Sequence, residues 1–189
     1  MDHLNRYFLK NDRFSTQRLY LRAISLEDTI NLVRWRSSLD VYRYMKTPKP
    51  ISIQEHLDWY TGYQNNPNEY RAIIVEKLTN QSMGMVGVAW TTEGYELSYY
   101  LGEVAFLNKG YATEALQVII KQLHKFGHKQ LILAYVHKDN KASIRLLTKL
   151  GFAETAVSRR HFCHEDAFRP VDKSVASDIF LLYTHQHEK

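Results

Sequence analysis

Cysteine is nearly absent from this chain of 189 residues: Cys163 stands alone, which excludes an internal disulfide. A lone thiol fits a reducing, cytoplasmic setting. Long hydrophobic runs are missing as well. No segment approaches the roughly 20 apolar residues that span a bilayer, so no membrane partner is expected. The opening Met1-Asp2-His3-Leu4-Asn5-Arg6 lacks the basic start, apolar run and small-residue cleavage site of a secretory leader. Basic residues never run beyond two in succession, and the net charge of +5 is scattered. Nucleic-acid binders gather such charge into a stripe with stacking aromatics, so no nucleic acid is expected either. The modest positive excess still favours an anionic ligand, such as a phosphorylated cofactor. Repeats, low-complexity tracts and linkers are lacking, and the expectation is one domain over residues 1–189.

What is present is the composition of an ordinary globular protein, 44% hydrophobic and 24% charged. Asn5 to Phe14 reads as a polar, aromatic-bearing lead-in. Arg18 to Arg22 alternates apolar with polar, the pattern of a half-buried strand. Leu26 to Arg36 reads as an amphipathic helix with Ile30, Val33 and Trp35 inward. Thr47-Pro48-Lys49-Pro50 breaks any helix there. Ser52 and Glu55 form a capping box for a helix whose inner face carries Leu57 and Tyr60. Strands are expected over 70–76, 83–90 and 95–101, with a turn at Thr79-Asn80-Gln81. Ala112, Ala115, Leu116, Ile119, Ile120 and Leu123 share one face of a helix from Tyr111 to Phe126. Leu131 to Val136 is a doubly buried strand. Asn140 caps a helix that Gly151 stops, and 153–160 and 178–183 complete the strands. The class is α/β: a mixed, mostly antiparallel sheet of about seven strands with helices on both faces.

Two segments carry chemistry. In Leu107-Asn108-Lys109-Gly110-Tyr111-Ala112-Thr113-Glu114-Ala115 a long helix begins just after a glycine. Its first turn leaves backbone N–H groups unpaired, and the helix dipole adds positive charge there. Gly110 lets the backbone approach a ligand, so the segment suits a pyrophosphate, although a plain turn before a surface helix has the same look. The second segment, Asn140 to Phe152, follows a buried strand and ends in Leu-Gly-Phe.

Together, in this order, the two segments resemble the signature of the GNAT acetyltransferase superfamily, over roughly residues 14–155. Ser15-Thr16-Gln17-Arg18-Leu19-Tyr20-Leu21-Arg22 is similar to the opening of its ribosomal-protein N-acetyltransferase branch. Trp35-Arg36, Met45 and Glu55-His56-Leu57 are similar to that branch and to nucleotide-aminosugar N-acetyltransferases. The resemblance implies acetyl-CoA as cosubstrate and no metal. It implies that Asn108, Lys109, Gly110, Tyr111, Ala112 and Thr113 wrap the pyrophosphate and that Asn140 contacts the pantetheine arm. The central strands would splay, and backbone near Leu101 to Val104 would pair with pantetheine amides. Trp35, Arg36, Tyr100, Tyr42 and Tyr44 are candidates for the acceptor pocket.

Three positions depart from the family pattern. Leu107 stands where Gln or Arg is usual, and Asn108 replaces a frequent glycine. Leu147 occupies the place of the tyrosine that many members use as proton donor, which excludes that acid. Glu96 is the candidate general base, with Ser98 and Tyr100 on the same strand face and Glu103 as runner-up. Ser143 is the candidate that orients or protonates the sulfur, or else a structural serine in the first helical turn. A thiol near pKa 8.5 leaves without strong acid help. His161-Phe162-Cys163-His164 is read as a surface turn, its spacing being undiagnostic for a metal. The expected reaction is direct transfer of acetyl to an amine, a protein N-terminus or a small-molecule amine, in a monomer or homodimer. A nucleotide amino sugar as acceptor, and an acyl-CoA sensor without turnover, are the alternatives.

Overall fold

The computed structural model describes residues 4–10, 14–126, 130–155 and 180–185. Chain order runs α1 (Leu4–Lys10), β1 (Phe14–Ser15), β2 (Leu19–Ala23), α2 (Thr29–Arg36), α3 (Leu39–Tyr42) and α4 (Ile53–Gln64). It continues with β3 (Glu69–Glu76), β4 (Ser82–Thr91), β5 (Gly94–Leu101), α5 (Tyr111–Lys125), β6 (Ile132–His137), α6 (Lys141–Lys149), β7 (Ala153–Thr155) and β8 (Phe180–His185).

The eight strands form one sheet in the order β1-β2-β3-β4-β5-β6-β8-β7. Every neighbouring pair is antiparallel except β5 and β6. The strand beyond the expected seven is the two-residue β1, too short to show alternation. Side chains of successive strand residues point to opposite faces, and each face buries its own cluster. One holds Leu97 and Ala134 of the sheet with Phe8 of α1, Leu116 and Ile119 of α5 and Leu147 of α6. The other holds Ile73, Val75 and Met85 with Leu32 and Trp35 of α2 and Tyr60 and Tyr63 of α4. Leu116 and Ile119 are wholly buried, and burial of each such side chain stabilises by about 1.5–3 kcal/mol. Leu116→Ala, which leaves a cavity under the sheet, costs about 2–5 kcal/mol.

Several local expectations change. The polar lead-in is a helix, α1, whose Leu4 and Phe8 are buried; Phe8 stacks on Tyr70 with ring centroids 4.7 Å apart. Two apolar residues one turn apart are too few to announce a helical period. The helix at Leu26 starts as a 3₁₀ turn, Leu26–Asp28. That tighter turn rotates the inner face to Thr29, Leu32 and Trp35, leaving Ile30 63% exposed. In α4 the capping box of Ser52 and Glu55 is present, and His56, Tyr60 and Tyr63 are its buried residues while Leu57 is half-buried. Among the described residues no helix is long and apolar enough to cross a membrane. The His161–His164 segment lies outside the described residues.

Candidate active site

Among the described residues the sheet has one parallel pair, and it is short. β5 and β6 are paired only at Tyr95 with Ile132 and Glu96 with Leu133. Beyond these positions β5 pairs with β4 alone and β6 with β8 alone. Two backbone edges therefore diverge, opening a wedge through the sheet. The wedge is part of a cleft of about 970 Å³, a volume at the upper end of ordinary ligand sites.

At one end of the cleft lies the start of α5. Asn108 and Gly110 both take left-handed backbone, at φ 58° and 83°. At Gly110 an added Cβ would meet only Arg18, 3.5 Å away, so conformation and not space asks for glycine there. The first bond within the helix runs from the N–H of Glu114 to the carbonyl of Gly110, at 3.0 Å. Helical geometry leaves the N–H groups of Tyr111, Ala112 and Thr113 without an acceptor in the preceding turn. These residues line the cleft with Asn108 and Gly110, and the cradle fits a pyrophosphate.

The loop is braced from the front of the chain. Arg18 donates through Nη1 to the carbonyl of Lys109 (2.9 Å) and through Nε to Glu114 Oε2 (2.7 Å). Its guanidinium lies over the Tyr111 ring, 4.5 Å from the centroid. The Thr16 hydroxyl also bonds Glu114. Burial alone would raise the Glu114 carboxyl, but the bonds from Thr16 and Arg18 hold it below the usual range. The bracing carboxylate is therefore ionised at neutral pH.

At the vertex of the wedge sits Glu96. Its Oε1 accepts from Lys46 Nζ at 2.8 Å, and the same ammonium lies 4.7 Å from the Tyr135 ring centroid. Glu96, Ser98 and Tyr100 face the α2/α4 side of the sheet. Tyr99 faces the other side, where its hydroxyl meets Ser143 Oγ at 2.5 Å. Burial pushes the Tyr99 phenol up to about 12, only partly offset by the Ser143 bond, so it stays protonated at neutral pH. Asn140 Oδ1 accepts from the Ser143 N–H at 3.1 Å, which caps α6 and holds Ser143 against Tyr99. Glu96, Tyr99, Asn140 and Ser143 all line this cleft. A carboxylate thus enters from one face of the sheet and a hydroxyl pair from the other.

Comparison with known proteins gives this geometry a family. Residues 18–153 match the description "Acetyltransferase (GNAT) domain". The chain belongs to the GNAT acetyltransferase family. A Bacillus licheniformis N-acetyltransferase, p20, is 28% identical over 152 residues, covering 76% of this chain and 84% of that protein. The ribosomal L7/L12 alpha-N-protein acetyltransferase RimL, solved with coenzyme A, superposes with a TM-score of 0.70 at 15% identity, covering 92% of this chain and 97% of its own. The Vibrio cholerae spermidine N-acetyltransferase, solved with CoA and spermine, superposes with a TM-score of 0.67 at 17% identity over 74% of this chain and 83% of its own. The GNAT chain described here is accordingly an acyltransferase.

The GNAT cleft gathers most of the residues singled out in the sequence: Glu96, Tyr100, Leu101, Asn108, Gly110, Tyr111, Ala112, Thr113, Asn140 and Ser143 line it, as do Arg36 and Tyr44. Trp35, Val104, Lys109 and Tyr42 are not among the lining residues. Trp35 is buried and lies against Gly102, where an added Cβ would fall 2.0 Å from its Cγ. Its Nε1 donates to Glu103 Oε1 at 2.8 Å. Glu103 also pairs with Arg34, whose bond holds its carboxyl low, and it too is off the cleft wall. Glu96 is thus the glutamate at the vertex. Arg36 donates to the carbonyls of Thr47 (2.8 Å) and Lys49 (3.2 Å), so it clamps the loop before α4. Leu147 is wholly buried in the core.

Sequence reading passed over the part that four residues play in this site. Arg18 and Thr16 were visible as part of a motif, yet no local signal said that they brace a loop some ninety residues away. Strand alternation places Tyr99 opposite Glu96, but nothing in the sequence brings it to Ser143. Lys46 lies in an irregular segment and carries no signal at all.

Proposed function

We propose that this chain transfers an acetyl group from acetyl-CoA to a primary amine. The observation that carries the reading is the wedge, where an anion-binding helix start and the Glu96 carboxylate share one cleft. The exposed N–H groups of Tyr111, Ala112 and Thr113 hold the pyrophosphate, and the free edges of β5 and β6 receive the amide-bearing arm. The thioester then ends near the vertex. An incoming ammonium replaces that of Lys46 on Glu96. Glu96 takes its proton, directly or through a water, and leaves a neutral nucleophile. The amine nitrogen bonds the acetyl carbon, the C–S bond breaks with negative charge moving to sulfur, and the nitrogen sheds its second proton to water while the thiolate takes one up.

The Tyr99–Ser143 pair meets that sulfur. One hydrogen bond joins two hydroxyls, so one hydroxyl proton remains to point elsewhere. A phenol near 12 transfers its proton unfavourably to a thiolate whose thiol has a pKa of about 8.5. Hydrogen bonding to the departing sulfur, not full protonation, is the service this pair offers.

On the acceptor side Arg36, Arg43, Lys46 and Arg71 line the cleft against Glu96 and Asp40. Such a wall repels polycations, so we place peptide N-termini and small monoamines above polyamines as acceptors, in the cytoplasm. The test is CoA release with acetyl-CoA and a panel of N-terminal peptides, monoamines, amino sugars and spermidine. Amine-dependent release, with spermidine among the poorest, is the expected outcome. No amine-dependent release from any of them defeats the proposal.

A further inference from the structure

Resting on that reading, we infer that Lys46 is itself an acceptor, a self-acetylation site that the enzyme presents to its own acyl-CoA thioester. The position of its amine is the first argument. Lys46 Nζ sits 2.8 Å from Glu96 Oε1, over the face of Tyr135, in the place assigned above to the acceptor's ammonium. Its side chain is 31% exposed, whereas a lysine on an ordinary loop extends into water.

The second argument is that the loop is held there and does not merely pass by. Lys46 lies between α3 and α4, and the end of α2 pins this stretch at three successive alternate residues. Arg36 bonds the carbonyls of Thr47 and Lys49. Ser37 Oγ then exchanges two hydrogen bonds with the backbone of Ile51, both 3.0 Å. Pro48 and Pro50 stiffen the same segment. On the other side the Met45 N–H donates to the Tyr42 carbonyl at 2.9 Å. So held, Lys46 pays little ordering cost to reach the vertex, and an amine fixed near a thioester carbonyl reacts as if at very high concentration.

The chemistry balances with the thioester as sole co-reactant. Glu96 takes a proton from the Lys46 ammonium, and the freed nitrogen forms a C–N bond to the acetyl carbon. The C–S bond breaks, and the thiolate of CoA takes up a proton. The products are acetyl-Lys46, CoA thiol and one proton released to water. The modified side chain is neutral and no longer pairs with Glu96.

The experiment incubates the full chain with acetyl-CoA and maps acetyl-lysine by mass spectrometry against time. Lys46 should be acetylated on the order of a hundredfold faster than the exposed lysines, the lower end of what a positioned base supplies. Its rate should saturate in acetyl-CoA and be independent of protein concentration, as an intramolecular reaction requires. Glu96→Gln should bring Lys46 down to the level of the other lysines, and Lys46→Arg should leave no fast-labelled site.

A readout without acetyl-CoA follows the pair itself. Reductive methylation with formaldehyde should be severalfold slower at Lys46 than at Lys49, whose side chain is 59% exposed, and Glu96→Gln should erase the difference. If Lys46 is acetylated no faster than exposed lysines while the same protein binds acetyl-CoA and acetylates added amines, the inference is overturned and the proposed function stands. If acetyl-CoA neither binds nor turns over, both fall together.

Discussion

Tyr99 and Ser143 share a single hydrogen bond, and that fact sets the size of their individual contributions. If the pair only hydrogen-bonds the departing sulfur, Ser143→Ala and Tyr99→Phe should each lower kcat by about tenfold or less, roughly 1.4 kcal/mol of barrier. Because the two act as a unit, the double variant should fall little below either single one. Turnover of the three variants forms the cycle; additive losses would mean that the hydroxyls act separately. In the proposed mechanism Glu96 carries a larger share. Glu96→Gln keeps the shape and removes the basicity, so the maximal rate should fall by about 10²–10⁴-fold at neutral pH. The defect should shrink as pH rises, since more of the acceptor amine is then neutral without help. Affinity for acetyl-CoA, measured as a thermal shift, should hardly change. Full activity in Glu96→Gln at neutral pH would remove Glu96 from the mechanism.

Among the elements, α2 is tied to the end of β5 by a close contact that leaves no room for a methyl group. At Gly102 a Cβ would meet three atoms of Trp35 between 2.0 and 2.5 Å. Gly102→Ala must push Trp35 away from the sheet and strain its bond to Glu103. Overpacking of this kind costs about 1–3 kcal/mol, and at this chain length each kcal/mol lowers Tm by roughly 2–4 °C. Calorimetry on Gly102→Ala checks it; an unchanged Tm would show that Trp35 moves freely. The N-terminus of α4 has its own pH signature. The Ser52 N–H, aided by Lys49 and the Ser52 hydroxyl, holds the Glu55 carboxyl at about 2, below its ordinary 4.5. A depressed carboxyl stabilises the fold above its unfolded value and loses that contribution as pH falls through the folded one. The Tm difference between the protein and Glu55→Gln should therefore be present near neutrality and vanish as pH falls from about 4.5 to about 2. This cap was legible in the sequence because its donor and acceptor are three residues apart. The start of α5 was legible for the same reason, with Asn108, Gly110 and the apolar face of the helix all local. The Thr16 and Arg18 brace on Glu114, the Tyr99–Ser143 bond and the seating of Lys46 on Glu96 each join distant segments. No local pattern encodes such contacts; they exist only once the sheet has set its register. Helix α1 escaped notice because it has only two buried residues, and the ring on which Phe8 stacks, Tyr70, is some sixty residues on.

At the scale of the whole molecule, His56 is a buried titrating group that ties stability to pH near neutrality. His56 is 3% exposed, and burial lowers its imidazole below the ordinary 6.5, the charge of Asp28 opposing only in part. The unfolded chain therefore binds a proton at this residue before the folded one does. Stability is flat in this respect above about pH 6.5 and falls as pH drops below it. Denaturation between about pH 8 and about pH 5 should show a steeper acid loss for the protein than for His56→Leu; equal slopes would contradict it. The seam between β5 and β6 bears on the whole molecule in another way. Strands β1 to β5 and β6 to β8 are two stiff plates sutured by two residue pairs and by the bond from the Tyr95 N–H to the Leu131 carbonyl at 2.8 Å. Any arm that lies between the plates and bonds both edges serves as a temporary ninth strand. Catalytic turnover would then alternate the protein between a split sheet and a completed one, each cycle unpicking and resewing the middle of its own core. Stiffness across the molecule becomes a property of the cosubstrate as much as of the chain. Amide exchange should record this as slowing on residues 97–101 and 134–136 together, from a ligand that touches only the gap between them.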